Sequence, residues 1–451
     1  MLICAHYILP IASDPMTGGA VLIRNGEICD MGAADIMKLR YPSEEVRDFG
    51  LAAIMPGMVD THTRMEYSVM RGLVDDLPYN TWLMKVTEKA PLMEMSDWYD
   101  SAVLGCLDAL SGGITTISDT TSNGASVTAT QKLGLRAVVY REVRAMDKNR
   151  IEYAMKMAQK DIFHWREEVD ESRVTIGIAP GHLFSAHPAL MGTAAEFAAE
   201  QDIPYAIHLA GSREEMNFVR YGSSPFSVDA MGNDRGFVEV PPWMPTGVSP
   251  VQYALNWGAF QAPRTLVVQA VHVDHRDLAT LRQNNVAIAT CPRENAQLGM
   301  GVAPLDEFLR ADIPVGFGTG SPAATNSTDM FTEMTVGMLM SRSMSTRRFL
   351  DSGTILELAT LGGARALGID DKVGSLEIGK RADIVAVDLS SSHQAPGGNP
   401  ISAVVNTCTS SDVLMTMVDG NILYEKNKWH VNVEVARSVA RAIEIRGKLR
   451  S

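Results

Sequence analysis

The sequence predicts an α/β protein, a (β/α)8 TIM barrel with a small β-sandwich domain formed from both chain ends, and three observations carry that expectation. Eight short apolar runs recur along the middle of the chain with helical stretches between them. Runs that are apolar at successive positions suit parallel strands covered on both faces, and eight such units close a barrel. Hairpin signals flank this series at both ends, and 451 residues leave room for a second domain beside a barrel of roughly 250 residues or more.

The first hairpin signal is Val21-Leu22-Ile23-Arg24 followed by Asn25-Gly26, a dipeptide suited to the two left-handed positions of a tight turn. Its counterpart runs from Val413 to Val418, turns at Asp419-Gly420 and returns through Ile422-Leu423-Tyr424. The expected division is a composite β domain of residues 1–55 with 370–430, a barrel over 56–369, and a C-terminal helix over 431–451 carrying Val435, Val439 and Ile443. The barrel runs are Met55 to Val59, Ile114 to Ser118, Leu135 to Tyr140, Val174 to Ala179, Ile203 to Leu209, Leu266 to Val271, Val286 to Thr290 and Val315 to Thr319. The longer interval from Leu209 to Leu266, with Pro225, Pro241, Pro242 and Pro245, reads as an extended, lid-like loop.

Composition narrows the class of function. Apolar residues make up 46% and charged residues 21%, which supports a large core and no disorder. A net charge of −13 argues against a nucleic-acid partner, and the basic cluster Arg342, Arg347 and Arg348 is small enough to be a solvated loop. Five scattered cysteines with no CxxC pair suggest neither a disulfide framework nor a thiolate zinc site, so a reducing, cytoplasmic setting is expected. The N-terminus has no signal-peptide pattern and no stretch reaches 18 apolar residues, so no membrane association is expected. The 26 methionines are dispersed and read as core filler. Without a Walker or Rossmann glycine pattern, no nucleotide cofactor is expected.

Chemistry in such barrels sits at the carboxyl ends of the strands. Polar residues gather there: His62 and Arg64, Asp119, Arg141 and Glu142, His182, His208, Gln269 and His272, Cys291 and Arg293, Gly320 and Ser321. His62 and Arg64, two apart on a strand, share a direction. A His-x-His pair there would chelate a metal, but a guanidinium has no lone pair to give and repels a dication.

The motifs Pro56-Gly57-Met58-Val59-Asp60-Thr61-His62, Arg71 to Pro78, Gly113-Ile114-Thr115-Thr116, Ile207-His208-Leu209-Ala210, Cys291-Pro292 with Asn295, Leu298 to Pro304 and Gly374 to Asp383 follow one another in order. In these the sequence resembles the amidohydrolase superfamily, in its branch of adenosine-type deaminases and triazine chlorohydrolases, from about Ala20 to Trp429. The resemblance implies two histidines after the first strand, one after the fifth and an Asp after the eighth, with a Glu and a further His assisting proton transfer. His62 and His208 match; Arg64, Gly211, Gln269 and Gly320 stand where the other four groups are expected. Tyr67, Met70, Trp82 and Phe184 lie where that family lines its pocket, and Gly181 beside His182 where a substrate-binding His is expected. The resemblance also implies a homo-oligomer.

A catalytic zinc takes three protein ligands plus water, so no metal and no cofactor are expected, zinc or iron being the alternative. The leading expectation is an enzyme acting on a small cyclic, N-heterocyclic or anionic molecule by metal-independent acid/base chemistry of lyase, isomerase or ring-opening type. His62, Arg64, His208, Asp119 and Glu142 are its catalytic candidates, with Tyr67, Trp82, His182, Phe184, Gln269, His272 and Ser321 binding substrate. Arg64 has a structural reading too, an ion pair with Asp119 or Glu142 across the barrel. Cys291 reads as a buried small hydrophobe unless a neighbour lowers its pKa. The alternatives are a metal-dependent C–N or C–Cl hydrolase with displaced ligands such as His62, His208, His182 and His272, and a ligand-binding protein without turnover.

Overall fold

The computed structural model describes residues 1–222, 244–344 and 349–450. Its centre is a sheet of eight parallel strands in sequential order: β1 (Met58–Thr63), β2 (Ile114–Thr121), β3 (Arg136–Val143), β4 (Val174–Pro180), β5 (Tyr205–Leu209), β6 (Thr265–Gln269), β7 (Ala287–Thr290) and β8 (Val315–Phe317). The ring is drawn shut where Thr63 bridges Gly320 and where Asp60 of β1 accepts the Thr319 N–H at 3.0 Å and its hydroxyl at 2.6 Å. Every residue of β1 and β2 is buried, including Asp60, His62 and Asp119 among their apolar and small neighbours.

The expected first run, Met55 to Val59, divides between two sheets. Ala52–Pro56 pairs with Ile384–Asp388 and with Leu2–Ile8 in a second sheet, and the barrel strand starts at Met58. Gly57 makes the crossing because a Cβ there would stand 2.1 Å from the Thr115 hydroxyl. The sixth run also stops early: Gln269 and Ala270 take left-handed φ of 80° and 47°, turning the chain at the barrel mouth.

The second, mixed sheet has nine strands drawn from both chain ends. Both expected hairpins form, Met16–Arg24 with Glu27–Ala33 and Val413–Val418 with Asn421–Glu425, with Asn25, Gly26, Asp419 and Gly420 all at positive φ. A buried ion cluster fastens this sheet to the barrel: Arg136 of β3 pairs with Asp383 at 2.8 Å and Asp419 at 2.5 Å, and Arg381 pairs with Asp419 at 2.6 Å.

The final helix, Val435–Arg450, turns a different face inward from the one expected: Ser438, Ala442, Ile445 and Leu449 are buried, whereas Val439 and Ile443 are exposed. Its register is set by Arg441 and Lys448 reaching the buried Asp97. Among the described residues, the expected lid-like interval contains two capped helices. In Arg213–Tyr221 the Ser212 hydroxyl accepts the Glu215 N–H, and in Pro250–Asn256 Ser249 caps the first turn. Pro225, Pro241 and Pro242 of that interval, and Arg347 and Arg348 of the basic cluster, lie outside the described residues. All five cysteines are free. Among the described residues no helix is long and apolar enough to cross a membrane.

Candidate active site

A cavity of about 620 Å³ opens at the carboxyl ends of the strands. His62, Arg64, Tyr67, Trp82, His182, Phe184, His208, Gln269 and Ser321 line it, as the sequence suggests. Tyr79, Leu83 and Val86 from the helix Tyr79–Lys89 form an apolar roof, and the Trp82 indole N–H anchors that helix to the Ala323 carbonyl at 3.3 Å. An apolar slot with a few polar groups at one end is the usual form of a small-molecule site.

Three imidazoles gather at the floor. The Nε2 atoms of His62 and His208 are 3.2 Å apart, and the His182 ring lies 4.4 Å from that of His208 while stacking on Phe184 at 4.9 Å. Burial, followed by the positive charge of Arg64, pushes both His62 and His182 down to about 3, and burial also holds His208 well below its usual range. All three are therefore neutral at pH 7, each with a nitrogen lone pair to offer.

Beside them two guanidiniums share one carboxylate. Arg64 reaches Glu142 Oε1 at 3.0 Å and Arg144 reaches Oε2 at 2.8 Å, where the Ser122 hydroxyl also donates at 2.8 Å. Burial works to raise the Glu142 pKa, but Arg144 and Arg64 outweigh it and hold the carboxyl well below the usual range. The ion pair weighed for Arg64 thus exists with Glu142 and leaves one positive charge over, on a wall formed by Arg64 and Arg144.

Three sequence candidates stand off the cavity lining. Asp119 is fully buried and its Oδ1 accepts the Met65 N–H at 2.8 Å, which holds the turn after β1; it props the wall rather than facing substrate. Glu142 is enclosed by its two arginines and Ser122. His272 directs Nε2 at the Met300 carbonyl, 2.8 Å away, so its ring serves the backbone. Burial raises the Cys291 thiol well above its ordinary value, which fits the small buried hydrophobe.

The two glycines at the expected positions of a Glu and an Asp have filled neighbours. A Cβ on Gly211 would lie 1.9 Å from the Gln269 amide oxygen, and a Cβ on Gly320 would lie 2.6 Å from the Glu294 carboxyl carbon. Gln269 and Glu294 thus occupy the space that side chains at those positions would take, and Gly320, at φ 68°, lets the backbone pass beneath. Sequence reasoning missed Glu294 along with Tyr79. Its one local signal is a carboxylate in the first turn of a helix, Pro292–Gln297, that starts where β7 ends.

For a metal ion the fit rests on His62 and His208. Two nitrogens bound at about 2.0–2.1 Å to a tetrahedral zinc stand roughly 3.3–3.4 Å apart, close to the 3.2 Å found between their Nε2 atoms. The same 3.2 Å is also hydrogen-bond distance, and among the described residues no group of three or more His, Cys, Asp or Glu side chains is arranged to hold a metal, so this is a two-donor seat, one protein ligand short of an ordinary catalytic zinc site.

The model of the amidohydrolase family matches residues 53–423. The 5-methylthioadenosine/S-adenosylhomocysteine deaminase of Syntrophobacter fumaroxidans is 29% identical over 440 residues, covering 94% of each chain. An adenosine deaminase from Xanthomonas campestris, solved with bound zinc, superposes with a TM-score of 0.86 at 24% identity over 100% of this chain and 98% of its own. An atrazine chlorohydrolase from Arthrobacter aurescens, solved with zinc, gives 0.83 at 21% identity over 99% of both chains. These zinc-bound neighbours overturn the expectation that no cofactor is needed. Arg64, Gly211, Gln269 and Gly320 leave four expected groups absent, yet His62 and His208 keep a spacing close to that of two ligands on one ion.

Proposed function

This chain belongs to the amidohydrolase family, and on that premise we propose that it is a metal-dependent hydrolase that removes an amino group from a small N-heterocycle bearing an anionic substituent. One observation carries the reading: a neutral, buried imidazole pair at ligand spacing faces the same cavity as a guanidinium pair with one charge in excess. The metal-free lyase or isomerase reading gives way to hydrolysis, since the relatives compared are named deaminases.

His62 and His208 would hold the ion, with the remaining positions open to water and substrate. When bound, the ion would lower the pKa of a water molecule and polarise the carbon under attack. The chain supplies the rest. The slot under Tyr79, Trp82 and Phe184 takes the flat face of a heterocycle and excludes water. Arg64 and Arg144 fix the anionic group and set the orientation of the ring. Gln269, whose amide lies in the Gly211 hollow, offers hydrogen bonds to ring nitrogens.

The barrel, residues 56–369, is taken as the catalytic unit, the composite β domain of 1–55 and 370–430 as its support and the 431–451 helix as a clasp. A cytoplasmic location and self-association complete the reading.

The test is ammonia release from 5-methylthioadenosine, S-adenosylhomocysteine and other aminated heterocycles by protein supplied with zinc or iron, with the bound metal counted. Turnover that follows metal occupancy and vanishes in His62→Ala or His208→Ala is the expected result. Tight ligand binding without turnover at any metal loading would replace the enzyme by a binding protein.

A further inference from the structure

We propose that Glu294 is the proton-carrying carboxylate of this site, delivered from the helix after β7 into the space that strand eight leaves open at Gly320. The inference rests on the deaminase reading above for its reaction, but the geometry that carries it is independent of the substrate. Glu294 is buried, at 5% exposure, and lines the cavity. Its Oε1 accepts the Ser321 N–H at 2.9 Å, and its Oε2 lies 3.5 Å from the Gln269 amide nitrogen. A side chain at Gly320 would collide with that carboxyl, because Glu294 already occupies its volume.

Two partners hold the carboxyl of a side chain that lines the cavity, which suits a group that must take and return a proton without moving far. Burial raises its pKa above the ordinary glutamate range. The charged and titratable groups facing it are Arg64 at the end of β1, Tyr79 of the roof helix, Cys291 and Arg293 of its own turn, and Glu333 of the helix Met330–Met344.

In the proposed cycle Glu294 takes one proton from the attacking water as the oxygen bonds to the amine-bearing ring carbon, and passes it to the adjacent ring nitrogen, which receives the displaced π pair. It then takes the second proton from the new hydroxyl and gives it to the amine. The C–N bond breaks with its electron pair leaving on ammonia, and the C=O bond forms. Both water protons are accounted for, one on the ring and one on ammonia.

The experiment compares wild type, Glu294→Gln and the relocated variant Glu294→Gly with Gly320→Asp, in which glycine removes the Cβ that would stand 2.9 Å from the new side chain and Asp is tolerated at positive φ better than most residues. Glu294→Gln should lower kcat by about 10²-fold or more with KM little changed, and should flatten one limb of the pH–rate profile. The relocated carboxylate should recover at least about tenfold of that loss, which a purely structural role would not allow. Infrared difference spectra of the substrate-free protein across the same pH range should show a protonated-carboxyl band in wild type that Glu294→Gln removes. If wild type deaminates nothing, the functional reading falls with the cycle, and the infrared band then reads only the carboxyl itself: its presence upholds Glu294 as a buried group that holds a proton, and its absence refutes the assignment. Full kcat in Glu294→Gln would refute it directly.

Discussion

Two arginine clusters stand at opposite ends of the same strands, and they are balanced differently. At the seam with the second sheet, Arg136 and Arg381 meet Asp383, Asp419 and, at the more exposed edge, Glu27, so every cation is matched by a carboxylate, and the Arg136 and Asp383 side chains are only 4% and 1% exposed. At the mouth, Arg64 and Arg144 meet Glu142 alone. A cluster whose cations are all matched by carboxylates gains nothing by binding an anion and serves to fix one layer on another. A cluster one anion short, on the wall of an apolar cavity, is completed by an anionic ligand.

The largest expected effect breaks the seam. Arg136→Met leaves Asp383 and Asp419 buried without their main partner and should cost about 3–5 kcal/mol of stability, read as a lowered urea midpoint, while the ligand affinity of the folded fraction stays unchanged. Arg64→Met sharpens the contrast from the other side. It removes the excess charge, so it should cost about 10²-fold in kcat/KM toward an anionic substrate with a smaller loss of stability than Arg136→Met. Arg144, whose side chain is 51% exposed, sits where water screens it. Arg144→Met should therefore weaken KM by about tenfold or less and make it less sensitive to salt.

The smallest effect is a pH dependence behind the mouth. Burial, followed by the Asp119 carboxyl, raises Glu66 to about 8, and Glu66 accepts the Thr121 hydroxyl. Its folded pKa lies above the unfolded one, so the folded state holds the proton longer. The stabilisation is complete below the unfolded value of about 4.3 and is lost as pH rises through about 8. Denaturation midpoints of wild type should fall across that window, and Glu66→Gln should flatten the fall. An identical slope in both proteins would assign the titration elsewhere.

The barrel was legible because its strands are buried on both faces and so write continuous apolar runs, and the hairpins because Asn25-Gly26 and Asp419-Gly420 take φ values few other pairs allow. The split at Gly57 was not, since only the three-dimensional closeness of Thr115 shows that the chain changes sheets there. At the mouth, His62, Arg64 and His208 could be found because strand ends point at one place. Glu294 could not be found that way, because its role depends on a hollow above Gly320 that the strand-end pattern registers only as a missing side chain. The final helix misled for a related reason: Val439 and Ile443 are the more apolar residues, but Arg441 and Lys448 dock on Asp97 and thereby turn the Ala442 and Ile445 face inward.

The most direct measurement of the unbalanced mouth is the ratio of kcat/KM for S-adenosylhomocysteine, which bears a carboxylate, to that for 5-methylthioadenosine, which does not, in metal-loaded wild type and Arg64→Met. A ratio well above one in wild type that collapses toward one in the variant is the predicted result. A ratio that survives the loss of the guanidinium unchanged would contradict the assignment of the excess charge to substrate binding.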